Sequence, residues 1–444
     1  MKKHFNEKSF TFFTINFIVG FGFITVIQSL IDIGYFGIIV FLITAFIAFS
    51  VGLVFSRLSN QYKNEYGGTY YYSKQVFKKS LSFYMGWNQY IQGPMLAATA
   101  PLFLASAASY LTEDNKILWI IRIISILFYI LLIIISTLGM HINKILIYVT
   151  SIIKWLILII GLIAVFYLVI NNFQYPKWDT KEINPYLIFS NILSFIYAFG
   201  GYEDVSSMSK DVNFKNFRKI LMISFLFIFI FYTIFYVLIQ FINIDHFNNF
   251  VQIYQLAFGS VGIIIFVIGL IFNSISVRLS VNLTAARKLV ALANDGYMFT
   301  FLSYQNKKHE FKNAIWFNAI LSILSMLLFW LIPYFLDLSN FFESVINMGS
   351  IAFLIQYMFT FIIALILDKR KKIRAIPIWE KIIYYISVII IGIVLLIYTF
   401  PFIIGQMWTL ESIITLVSYT GFILIGFSIF GIYNIRNKMK LLNQ

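Results

Sequence analysis

Cysteine is absent from all 444 residues. No disulfide and no thiolate metal site can form, and the redox compartment leaves no mark on the sequence. Charge is scarce: Asp, Glu, Lys and Arg make up 11% of the chain, against roughly 25% in a soluble domain. Acidic residues are the scarcer kind, 18 against 33 basic ones. Histidine occurs four times, as His4, His141, His246 and His309. All four fall near the N-terminus, at membrane edges or in loops, and none has the His-Glu spacing of a metal site, so no cofactor or metal is expected. There is no phosphate-binding loop, which argues against ATP hydrolysis by this chain alone. No paired His or paired Asp falls at one depth, as a membrane-embedded enzyme would need. No enzyme activity is expected.

What is abundant is apolar sequence, 60% of the chain. The 50 Phe and 28 Tyr fit a bias toward A/T-rich codons and say little about mechanism. Twelve apolar segments are long enough to cross about 30 Å of hydrocarbon. Their spans are 12–31, 37–58, 83–111, 117–138, 145–170, 186–208, 218–242, 251–283, 314–335, 342–367, 380–402 and 411–433. The fold class is therefore an all-α integral membrane protein. The start, MKKHFNEK, has the basic character of a signal peptide. No small-residue cleavage site follows it, so the first segment is expected to be a mature helix.

The net charge of +15 would suggest nucleic acid in a soluble chain. Here its placement gives another answer. With the N-terminus cytoplasmic, all of the 33 basic residues except Lys116, Arg122, Lys177 and Lys181 fall on the inner side or in inner half-helices. Clusters at Lys74-Lys78-Lys79, Lys215-Arg218-Lys219, Lys307-Lys308-Lys312 and Lys369 to Arg374 follow the positive-inside rule. They read as topology signals beside anionic lipid. Both termini are expected in the cytoplasm, in a multi-pass plasma-membrane protein whose partner is the bilayer and not nucleic acid.

The chain is organised around residues 186–212, YLIFSNILSFIYAFGGYEDVSSMSKDV. An apolar helix meets Gly200-Gly201 and continues through Glu203 and Asp204. A membrane anchor has no use for carboxylates at that depth; they normally face a cavity or a partner. Segment one is interrupted in the same way, at Gly20-Phe21-Gly22, five helices earlier. One glycine pair alone fits close helix packing equally well. Breaks at corresponding positions of two halves point instead to an inverted repeat with a site at its midplane. The expected division is an N-terminus over 1–11, a first repeat of five helices over 12–171 and a second over 172–372. Two further helices span 373–435, and a C-terminal tail covers 436–444.

Several stretches, in order, resemble the amino acid–polyamine–organocation (APC) superfamily of transporters. Gly20-Phe21-Gly22-Phe23-Ile24 resembles its helix-one break, and Gly67-Gly68-Thr69-Tyr70-Tyr71-Tyr72 the turn after helix two. Gly86-Trp87 resembles the start of helix three. Tyr197 through Glu203 with Lys210-Asp211-Val212 resembles helix six, Ala286-Arg287 through Asn294-Asp295-Gly296 the exit of helix eight, and Glu343 through Leu367 helix ten. Each motif is weak alone; six in order are specific. Two positions depart from the pattern. Phe21 stands where a small polar residue is usual, and Arg57 lies near where a glutamate often ends helix two.

The resemblance implies a five-plus-five inverted-repeat fold with broken helices one and six, and a secondary active transporter of amino acids working by alternating access. It implies main-chain contacts for the substrate carboxylate at Gly20, Phe21 and Gly22, and carbonyls for its ammonium near Phe17, Ile18, Tyr197 and Ala198. Phe199 and Gly200 complete the second break and with it the expected substrate-binding set, and Tyr197 matches an aromatic that covers the substrate. Glu203 matches a gate or proton-relay acid; a structural carboxylate bonded to broken-helix amides is the plain alternative. Asp204 and Asp211 are weaker candidates near the exit. Lys154, about ten residues into segment five, resembles a lysine that occupies the sodium position in sodium-independent members. A lysine buried there can exchange a proton. Sodium-independent transport follows, either proton-coupled or by exchange. The few polar residues near the breaks favour a neutral or apolar substrate. Rival readings are an inverted-repeat carrier for a polyamine, nucleobase or ion, or a non-transporting sensor.

Overall fold

A computed structural model describes residues 4–112, 114–175, 184–242, 250–335 and 342–442. Lys177, Lys181 and His246 lie outside the described residues. The chain is helical almost throughout. Among the described residues, ten helices are long and apolar enough to cross a membrane, and an eleventh span is a bent pair. That pair is α1 (Glu7–Ile18) and α2 (Phe21–Asp32), bent by 45°. Next come α3 (Tyr35–Gln61), the short α4 (Thr69–Lys74), α5 (Lys79–Met95) and α6 (Thr99–Ala108). The first half ends with α7 (Asn115–Ser136) and α8 (Met140–Asn171).

The sixth apolar segment is not a continuous span. It runs as α9 (Pro185–Phe195), tightens into a 3₁₀ turn over Ile196–Phe199, breaks at Gly200-Gly201 and resumes as the one-turn α10 (Tyr202–Ser206). The remaining helices are α11 (Phe217–Ile239), α12 (Val251–Asn294), α13 (Lys312–Phe335), α14 (Phe342–Lys369), α15 (Ile378–Thr399) and α16 (Leu410–Leu442). Helix α12 runs past the expected end of segment eight, through Arg287, and kinks at Gly259, where φ is +63°.

Burial sorts these helices by composition. The span from Lys79 to Ala108 is the least apolar and the most buried, with 72% of an 18-residue stretch inside, against 17% of such a stretch in α7. Lipid accepts a predominantly apolar surface such as that of α7, while Asn88, Gln89 and Gln92 of α5 require partners that only protein supplies. Asn88 donates to the Ala352 carbonyl, and Gln92 to the Gln356 side chain at 2.6 Å.

The ends bearing the basic clusters are tied together by charge. Arg287 at the end of α12 pairs with Asp211 at 3.1 Å and Glu310 at 3.0 Å, and Tyr66 donates to the same Asp211 at 2.7 Å. Arg57 of α3 pairs with Glu380 of α15 at 2.6 Å, so this departure from the family pattern has its own partner. A two-residue parallel ladder joins Phe5–Asn6 to Val212–Asn213 and fixes the start of the chain to the exit of the second broken helix.

Candidate functional site

The two breaks face each other. At the first, α1 ends at Ile18, Val19 and Gly20 are extended, and Phe21 is already the first residue of α2. The interruption therefore falls one or two residues earlier than the glycines suggest. Extended backbone here frees the last carbonyls of α1 and the first amides of α2. At the second, Gly201 has φ of +130°, a conformation that only glycine adopts without strain.

Close approach explains the glycines. A Cβ on Gly22 would lie 2.8 Å from the Tyr197 ring, and one on Gly201 would lie 2.8 Å from the Phe17 ring. One on Gly20 would sit 3.2 Å from Oδ1 of Asn273 on α12. Between the breaks lies a cavity of about 130 Å³. Of the residues expected to bind substrate, Phe17, Ile18, Gly20, Phe21, Gly22, Tyr197 and Gly200 are on its wall, and so is Glu203. Ala198 and Phe199 are not on that wall. The Ala198 carbonyl accepts from the Tyr232 hydroxyl at 3.0 Å, and Phe199 packs edge-on against Tyr232. Phe21 tucks its ring beside Gly269 and edge-on to Phe266 of α12. The bulk of this residue is thus taken up by a glycine on the neighbouring helix.

Lys154 of α8 is fully buried and reaches the first break. Its ammonium donates to the carbonyls of Asn16 and Val19, each at 2.7 Å. The C-terminal end of a helix carries partial negative charge, so this ammonium replaces the helix's own missing donors. Beside it, Asn16 donates to Ser276 at 2.7 Å, and Ser276 meets Ser151 at 3.1 Å. α1, α8 and α12 are therefore joined at one level.

Glu203 is also fully buried. Its Oε2 accepts from the Tyr357 hydroxyl at 2.7 Å, while Oε1 has no hydrogen-bond partner among the described residues. Asp204 forms an ion pair with Lys288 of α12, which also donates to the Gln89 carbonyl at 2.9 Å. Asp211 is held by Arg287 and Tyr66, away from the cavity wall. Among the described residues, no cluster of three His, Cys, Asp or Glu could hold a metal.

Comparison with known proteins decides the family. The family model described as amino acid permease matches residues 5–432. The chain belongs to the amino acid permease family. Two proteins of Mycoplasma genitalium are similar over nearly their whole length. Uncharacterized protein MG225 is 34% identical, covering 99% of this chain and 97% of its own. Uncharacterized protein MG226 is 33% identical with the same coverage. The MG226 homolog of Mycoplasma pneumoniae is 29% identical over 100% of this chain and 97% of its own.

The cavity of this permease also holds residues that sequence reasoning passed over. Asn273 and Arg278 face it from α12, and Gln92 from α5. Gln92 starts a chain of hydrogen bonds through Gln356 to Thr69, which sits just after Gly67-Gly68. The Gln92 and Arg278 signals were present as polar residues inside apolar runs. Nothing local said which side of the helix they occupy.

Proposed function

We propose that this permease is a secondary active transporter that carries amino acids across the plasma membrane by alternating access, without sodium. N- and C-termini are cytoplasmic in this reading, and the two five-helix repeats move against each other around the cavity. The substrate carboxylate meets the free amides of α2 at Phe21 and Gly22, where the helix N-terminus carries partial positive charge. The ammonium meets carbonyls at the ends of α1 and of the 3₁₀ turn. Tyr197, whose ring rests on Gly22, covers the bound substrate.

The observation that carries the proposal is the pair of bonds from Lys154 to the Asn16 and Val19 carbonyls. Sodium at this break would be held by unwound carbonyls, and the Lys154 ammonium already takes those of Asn16 and Val19. A lysine that loses and regains its proton there would alter the helix-one break with each cycle, which couples transport to protons. Glu203, with one unpartnered oxygen, is the second proton-carrying group.

The test is uptake of labelled amino acids into proteoliposomes, with and without a proton gradient, in the absence of sodium. The expected result is accumulation that the inward proton gradient increases. Uptake that ignores the gradient but needs amino acid inside would make the protein an exchanger. A strict requirement for sodium, with Lys154→Ala transporting normally, would overturn the proposal.

A further inference from the structure

Arg278 stands within α12 and is 7% exposed. Its Nη2 donates to the carbonyls of Leu96 at 3.2 Å and Ala97 at 2.8 Å, in the 3₁₀ turn that follows Pro94. Among the described residues, no carboxylate pairs with it, and Nε and Nη1 make no hydrogen bond. The guanidinium is on the wall of the cavity between the helix breaks, and also on that of a smaller one of about 50 Å³ against α7. A guanidinium does not shed its proton in proteins. The Tyr129 ring of α7 lies 6.0 Å from the guanidinium, a cation–π contact that supplies part of its compensation; a buried guanidinium without an anion still lacks its strongest partner.

The other charges around the cavity are already spoken for. Asp204 is paired with Lys288, Glu203 is bonded to Tyr357, and Lys154 is held by main-chain carbonyls. Among the described residues, Arg278, Glu203 and Asp204 are on the wall while Lys154 and Lys288 stand behind it; with all five ionised, three cations stand against two carboxylates, leaving one positive charge. A neutral zwitterion does not change that balance; a substrate with a second carboxylate does. The spacing agrees. Asn273 of α12 is beside Gly20, and Arg278 is five residues further on, about 7.5 Å along a helix axis. The amides after Gly20, on α2, and Arg278, on α12, line the same cavity.

We infer that Arg278 reads a side-chain carboxylate and that the substrates are acidic amino acids. The inference rests on the cavity being the amino acid site proposed above. It reverses the expectation of a neutral or apolar substrate. That expectation took the polar inventory from the two breaks alone and left out α12.

The test compares isosteres, using the full chain in proteoliposomes with labelled L-glutamate against L-glutamine and L-aspartate against L-asparagine. Wild-type protein is expected to show a KM at least tenfold lower for each acid than for its amide. Arg278→Gln should raise the glutamate KM at least tenfold more than the glutamine KM, and Arg278→Lys should keep part of the preference. Thermal unfolding of each variant checks that it is folded. Should Arg278→Gln fail to fold, the wild-type preference between isosteres still decides. Amides taken up as well as the acids, or a preference that survives Arg278→Gln, would overturn the inference while leaving the transporter reading intact. Absence of any amino acid uptake by folded wild-type protein would overturn both.

Discussion

The ammonium of Lys154 donates to the carbonyl of Val19, 135 positions earlier in the chain, at 2.7 Å. The bond joins a charge that lipid would reject to a carbonyl that a continuous helix would have used. Each repairs the other's deficit, which is why a fully buried lysine can persist in the middle of a long apolar helix.

Lys154→Met therefore has two expected effects. It leaves the Asn16 and Val19 carbonyls without that donor, at about 1–3 kcal/mol per unsatisfied group, so the unfolding temperature falls. It also removes proton-driven accumulation in proteoliposomes, by at least tenfold. Full accumulation in the variant would show the lysine to be structural only.

Glu203→Gln keeps the shape and an oxygen for the Tyr357 hydroxyl but cannot carry a proton. Substrate binding is expected to persist while the stimulation of uptake by a proton gradient disappears. Tyr357→Phe removes one hydrogen bond to a carboxylate and should lower stability by about 1.5–3 kcal/mol, the range for bonds to charged groups. Gradient-dependent uptake by Glu203→Gln equal to wild type would exclude Glu203 as a proton carrier.

Gly201→Ala forces a side chain into a conformation with φ of +130° and toward the Phe17 ring. Strain of this kind costs about 1–3 kcal/mol. Gly392→Ala, on α15 where a Cβ meets nothing within 4 Å, serves as the comparison and should be neutral or slightly stabilising. Thermal unfolding in detergent reads both. Equal midpoints would mean that the second break is not locked against Phe17.

Arg287 is buried between Asp211 and Glu310. Arg287→Met leaves two buried carboxylates without their cation, and removing one partner of a buried pair costs about 3–5 kcal/mol. The expected result is little or no folded protein. The triple change Arg287→Met, Asp211→Asn, Glu310→Gln should recover part of the loss, measured by size-exclusion yield and thermal unfolding. A single variant as stable as wild type would show that this cluster does not hold the basic ends of the helices together.

The membrane class and the helix order were legible in the sequence because each depends on local runs. Apolar length fixes what can cross hydrocarbon, and a glycine pair marks where a helix cannot easily continue. Lys154, Glu203 and the two breaks stood out for the same reason: a charge or a glycine is conspicuous inside an apolar stretch. The one-turn length of α10 was not legible, nor was the kink at Gly259. Tertiary structure alone decided the pairings, because partners such as Lys154 and Val19, Asp204 and Lys288, or Arg57 and Glu380 come from distant helices whose facing sides are set by packing. It also placed the Phe21 ring beside Gly269, and it put Arg278 on the cavity wall with no carboxylate paired to it among the described residues.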